Sequence, residues 1–140
     1  MSVFSAKEIE YLRSQRLGRL ATVNPEGKPQ IAPVIFHYNA ELDVIEIGGR
    51  AMSKSKKFRN VLSNPNVALV VDDVLPPWQP RAVEIRGTAQ TLPTGGKAIF
   101  GANYAADEAI IRIKPAQIIG WGLEDGPLQA MNRKVKQTND

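Results

Sequence analysis

The chain has 140 residues, of which 43% are hydrophobic and 23% charged, which fits one soluble globular domain able to bury a core without disulfides or metal. It contains no cysteine and one histidine, His37, which excludes thiolate metal sites, cysteine nucleophiles, His-rich metal centres and Ser-His-Asp triads. The net charge of +4 has a local origin: residues 50–59 carry five cations and no acid, and the other 130 residues hold 13 basic and 14 acidic side chains.

Ser5-Ala6-Lys7-Glu8 has the capping-box pattern, and with Ile9 and Leu12 it predicts a helix over about residues 6–15. Residues 17–23, the turn Asn24-Pro25-Glu26-Gly27 and residues 30–38 read as strand, turn, strand. Pro33 has no N–H and predicts an edge or a bulge there. A third strand over 44–47 ends at Gly48-Gly49. Residues 53–63 read as a helix, with Phe58, Val61 and Leu62 on one face and Asn64-Pro65-Asn66 as its stop. A short apolar strand over 67–71 runs into Asp72-Asp73, taken as a polar strand end. Residues 75–80 form a proline-rich loop around Trp78. Residues 81–92 alternate, with Val83, Ile85 and Gly87 on one side and Glu84, Arg86 and Thr88 on the other. The Gly/Ala-rich stretch 93–108 reads as irregular or weakly helical, 109–113 and 117–121 as two strands around Lys114-Pro115, and 124–140 as a tail. The pattern is mainly β within an α+β chain: one domain over 1–140, with an N-terminal helix within 1–16 and strands arranged as an antiparallel barrel or sandwich. Strands and helices do not alternate, so a doubly wound nucleotide fold is not expected.

No apolar run reaches membrane-span length and no secretory signal is evident. The lack of cysteine fits a reducing cytoplasm, the expected location. The basic cluster follows Gly48-Gly49, which allow a sharp turn and close approach to a ligand. Ser53, Lys54, Ser55, Lys56 and Lys57 fall in the first helical turn, where lysines oppose the helix dipole. Their placement makes sense if an anion sits there; a solvated helix face is the plain alternative. Neither a Walker A loop nor G-x-G-x-x-G is present. The cations are too compact for a nucleic-acid surface, and a nucleic-acid partner is not expected. His37 reads as a structural or surface residue, and Trp121 as core or subunit interface. Trp78 sits where it could wall an aromatic cofactor. No acid–base pair or activated nucleophile stands out, so no side chain is assigned a catalytic role. The reading favours a bound organic cofactor as the source of the chemistry.

Residues 17–23, 27–34, 55–60, 67–73 and 83–89, in that order, resemble the blocks of the pyridoxamine 5'-phosphate oxidase-like split-barrel family. The Pro76-Pro77-Trp78 loop and residues 118–123 are similar to its branch of coenzyme F420 (deazaflavin)-dependent enzymes, common in actinobacteria. The resemblance implies an antiparallel six-stranded split β-barrel of the FMN-binding type with short flanking helices. It also implies a homodimer with a cofactor at each side of the subunit interface. The cofactor phosphate would lie on Ser55, Lys56 and Lys57 with Arg50. The ring system would lie along Gln30, Ile31, Ala32, Pro33 and Val34, beside Trp78, and Gly49 and Asn60 complete the expected cofactor-binding set. The implied activity is hydride transfer from reduced F420 to a planar conjugated acceptor. The alternatives are an FMN-dependent oxidase or reductase, or a protein that binds such a cofactor without turnover.

Overall fold

The computed structural model describes residues 1–101, 104–124 and 130–137. The capping box closes at Ser5: its hydroxyl accepts from the Glu8 N–H, the Glu8 carboxylate accepts from the Ser5 N–H, and α1 runs over Ala6–Ser14. Strands β1 (Leu17–Val23) and β2 (Pro29–Asn39) are joined by a turn in which Gly27 has φ 80° and the Asn24 side chain accepts from the Glu26 and Lys28 N–H groups. Strand β3 (Val44–Gly48) leads to a 3-10 turn at Met52–Lys54 and then to α2 (Lys56–Ser63). Strands β4 (Asn66–Leu75) and β5 (Gln79–Leu92) form a long hairpin. The short helix α3 (Gly96–Phe100), strand β6 (Ile110–Trp121) and strand β7 (Ala130–Lys134) follow.

The strands pair antiparallel in the order β3-β2-β1-β4-β5-β6-β7, and β3 also pairs with β6. That second pairing closes a six-stranded barrel, with β7 added outside β6. Period-two alternation fills the barrel: Leu20, Val34, Phe36, Ile45, Ile47, Leu69, Val83, Ile85, Ile111, Ile113 and Ile118 all point inward and are buried. Each such side chain contributes about 1.5–3 kcal/mol relative to exposure. β3 pairs only with residues 35–39 of β2, so β2 is an edge on that side around Pro33, where a residue without an N–H is tolerated.

Several expectations change. Residues 110–121 form one strand through Pro115, because the register shifts at Arg86/Gly87 and Gly87 lies opposite Pro115. A Cβ on Gly87 would collide with the Lys114 carbonyl oxygen, so glycine is what lets the chains close over the bulge. The helix read as 53–63 divides into the 3-10 turn and α2. Leu62 stays exposed while Asn60 turns inward beside Val61. Residues 96–100 of the stretch read as irregular or weakly helical form α3, as the second of those readings allowed, whereas residues 130–134, read as tail, form β7 by pairing with 117–121 of β6. Gly48 is explained by Phe100, whose ring fills the place a Cβ would take. Among the described residues no helix is long and apolar enough to cross a membrane.

Candidate cofactor site

Of the two serines in the basic cluster, Ser53 lies within the 3-10 turn and Ser55 caps α2. Asp107, distant in sequence, accepts from the Ser53 N–H at 3.0 Å and the Ser53 hydroxyl at 2.9 Å. These hydrogen bonds from Ser53 hold the Asp107 carboxyl below the usual carboxylate range. The anion on the 3-10 turn is thus the chain's own carboxylate. Ser55 is the N-cap of α2: its hydroxyl accepts from the Phe58 N–H at 3.3 Å and donates to the Met52 carbonyl at 2.7 Å. Ser55 therefore shapes the helix start, with its hydroxyl proton already committed.

Starting α2 at Lys56 sets the helical phase. Lys57, Asn60 and Val61, at i, i+3 and i+4, share the face turned to the barrel, while Lys56 and Arg59 are exposed. Lys57 is half-buried, and among the described residues no carboxylate lies within ion-pair reach of its Nζ. Burial pulls its pKa below the ordinary lysine value. The backbone N–H groups of Lys56 and Lys57 also have no acceptor among the described residues, and the first turn of α2 holds no acid. Two free N–H groups, the positive end of a helix and an uncompensated ammonium therefore coincide. A phosphate suits this donor set.

The side chain of Asn60, 5% exposed, joins this helix to the sheet. Its Nδ2 donates to Thr22 Oγ1 at 3.0 Å on β1 and to Gln30 Oε1 at 2.8 Å on β2. The anion cluster is thereby fastened to the start of the strand expected to carry the ring. Along β2, Gln30 and Ala32 are half-buried, Ile31 and Pro33 are exposed, and Val34 points into the core, leaving only its backbone available to a ligand. Gly49 is buried and its carbonyl accepts from the Asp107 N–H at 2.8 Å. Arg50 is exposed, with its guanidinium 5.4 Å from the centre of the Tyr104 ring. Trp78 caps the β4–β5 hairpin and is 75% exposed. Near the turn of that hairpin Arg81 donates two hydrogen bonds to Asp73, at 2.9 and 2.6 Å, the Tyr11 hydroxyl donates a third at 2.7 Å, and Asp72 pairs with Arg19 at 3.0 Å. His37 lies exposed on β2, edge-on to Phe100.

Thr22, Tyr104 and Asp107 were absent from the sequence reading of this region. Thr22 did carry a signal, as a polar residue at an inward position in the alternation Gly18, Leu20, Thr22. Asp107 and Tyr104 carried none, because only the fold brings them to residues 50–53.

Residues 5–122 match the family described as pyridoxamine 5'-phosphate oxidase. The chain belongs to that family. It is 53% identical over 123 residues to the 5a,11a-dehydrotetracycline/5a,11a-dehydrooxytetracycline reductase of Streptomyces rimosus subsp. rimosus, covering 86% of this chain and 84% of the relative. A solved structure named F420 reductase superposes with a TM-score of 0.62 at 26% identity, over 83% of this chain and 98% of the other. A FAD-binding protein of Mesorhizobium loti superposes at 0.63 and 21% identity, over 82% and 92%, and shows the shared split-barrel fold. Membership of the family, with a reductase at this identity, supports an enzyme of the oxidoreductase class.

Proposed function

We propose that the protein is an F420-dependent reductase: a homodimer that holds the deazaflavin between its subunits and delivers hydride to a planar conjugated acceptor. One observation carries this reading. The half-buried Lys57 and the two N–H groups at the start of α2, none of them partnered among the described residues, form an anion site that Asn60 fixes against Gln30 of β2. In this reading Lys57, Lys56 and Arg50 hold the phosphate, and Ser55 acts through the helix start that it caps. Gln30 to Val34, with Gly49 and Trp78, border the ring, and Asn60 sets the distance between the two. The bound cofactor supplies the hydride. The side chains bind it, orient it and keep water from it, and the proton that completes the reduction comes from solvent. The Streptomyces relative is named for reduction of a dehydro compound, which adds hydride and a proton across an unsaturated bond. A fused, conjugated acceptor of that class suits a flat ring platform. The apolar outer face of β1 and β2, where Leu17 and Ile31 are 52% and 69% exposed, supports a second copy as the other wall of the site. A cytoplasmic location belongs to the same reading.

Ultrafiltration of the protein with F420 or with FMN, followed by absorbance of the retained fraction, tests the cofactor. Retention of F420, and its reoxidation from the reduced form when quinones or dehydrotetracyclines are added, is the expected result. Retention of FMN alone would replace F420 by FMN. Tight F420 binding without turnover of any acceptor would make the protein a cofactor carrier.

A further inference from the structure

A cavity of about 500 Å³ opens at the end of β3 remote from Gly49, where the turn before β3, the middle of β5 and β6, and the segment after β7 meet. Its walls are largely apolar, formed by Leu42, Val44, Ala89, Pro115 and Val135. Its charges are unevenly committed. Among the described residues Asp43 is the one acid in the lining, and both its oxygens are taken: Oδ1 accepts from the Ser2 and Tyr38 hydroxyls at 2.6 Å each, and Oδ2 accepts from the Val3 N–H at 2.7 Å. Asp43 also sits at φ 59°, a left-handed conformation uncommon outside glycine, at the lip of the cavity. Arg112 is likewise committed, donating to Glu46 at 2.7 Å. Lys114 and Lys136 remain, both exposed at the rim and neither with a carboxylate in ion-pair reach among the described residues.

We propose that this cavity is a second binding site, for an amphipathic anion: a carboxylate or sulfonate carried on an apolar body. The body replaces water over Leu42, Val44, Ala89 and Val135, and the head takes the ammonium groups of Lys114 and Lys136. The volume lies within the range of small-molecule pockets, which combine apolar walls with a few convergent polar groups. The site is separate from the α2 cluster, at the opposite end of β3, and does not depend on the cofactor reading. An occupant bridges the turn before β3 to the segment 135–137, so it also ties the chain's last described residues to the barrel.

The probe is 8-anilinonaphthalene-1-sulfonate, a planar apolar body with one sulfonate, titrated by fluorescence into the full chain. Saturable binding is expected. It should weaken roughly tenfold or more in Lys114→Glu/Lys136→Glu, which alters two exposed side chains and leaves the fold intact by circular dichroism. Leu42→Asp, at the mouth, should weaken it independently. Lys57→Ala should leave it unchanged, and neither F420 nor FMN should displace it. Affinity unchanged in the Lys114/Lys136 variant would mean that the probe sits on another apolar surface and would overturn the proposal. Loss in Lys57→Ala, or displacement by cofactor, would place the probe in the cofactor site and overturn it equally.

Discussion

Lys57 is a cation that the fold partly desolvates with no acid paired to it among the described residues, an arrangement that costs stability unless an anion arrives. Two opposite pH dependences follow. Because its native pKa lies below the ordinary lysine value, the unfolded chain binds that proton more tightly. The lysine therefore weakens the free protein while charged, and stability recovers as pH rises through the window between its native and ordinary values. Phosphate binding needs the ammonium, so cofactor affinity should fall through the same window. Lys57→Arg keeps its charge there and should flatten both profiles. Lys57→Ala should leave the denaturation midpoint equal or higher and lower cofactor affinity by about 1.5–3 kcal/mol, the worth of a charge-assisted hydrogen bond. An alanine variant that binds as tightly as the parent removes Lys57 from the site. Asn60 behaves differently, since both its amide hydrogens are used inside the protein. Asn60→Ala strands the Thr22 and Gln30 oxygens and should cost about 1–3 kcal/mol in urea denaturation. Cofactor affinity should also fall, although no charge has been removed. Unchanged stability would show that water replaces the amide without loss.

At the scale of elements, the two ends of the chain are clasped by one ion pair. Arg133 on β7 donates both terminal nitrogens to the Glu8 carboxylate of α1, and one of them also reaches the Val3 carbonyl at 2.7 Å. Glu8 is 2% exposed, so removing its partner strands a buried charge. Breaking such a pair usually costs about 3–5 kcal/mol, and Arg133 is a third exposed, which admits water and argues for the lower end of that range. Arg133→Ala should therefore destabilise by about 3 kcal/mol. Arg133→Ala/Glu8→Gln should recover part of the loss, because the glutamine can still accept the Ser5 N–H without a charge. A double variant no better than the single one would refute the buried-charge explanation.

This clasp also shows why β7 was invisible in the sequence. Ala-Met-Asn-Arg-Lys has little strand character, and its conformation comes from the open edge of β6 and from Glu8 on the far side of the chain. Local patterns were legible: the Ser5–Glu8 capping box, the 24–27 turn and the alternation over 81–92 each depend on neighbours a few residues away. Pro115 misled because the compensating bulge sits on β5. The start of α2 misled because residues 52–54 turn as a 3-10 helix and Ser55, not a residue before Ser53, caps α2. The lysine cluster was legible as a composition anomaly. Which of its members is shielded was not, since that follows from helical phase, and the phase follows from the cap at Ser55.

At the scale of the molecule, the barrel closes on itself yet leaves one face unfinished. Leu17 and Ile31 stand exposed on the outer side of β1 and β2, with Pro33 between them in the register and Ile35 opposite Leu17. Ile31 immediately follows Gln30, so whatever covers this face also borders the proposed cofactor. A two-fold related copy would cover it with the same residues, and each substitution would then count twice. Leu17→Glu/Ile31→Glu removes four large apolar side chains from such an interface, roughly 6 kcal/mol or more by area, and adds four charges. The parent should sediment as a dimer and the variant as a folded monomer. Ile31 itself borders the proposed ring site, so Leu17→Glu alone, which alters no residue of that site, is the variant in which a fall in cofactor affinity reports loss of the dimer. Adding excess parent protein should not rescue the variant, because the altered face is needed on both sides of the axis. A parent that sediments as a monomer, or a variant that stays dimeric, would leave this face without the role argued for it. A variant that is monomeric yet binds cofactor as tightly as the parent would confine the site to one chain, and the anion pocket at α2 would then be sufficient alone.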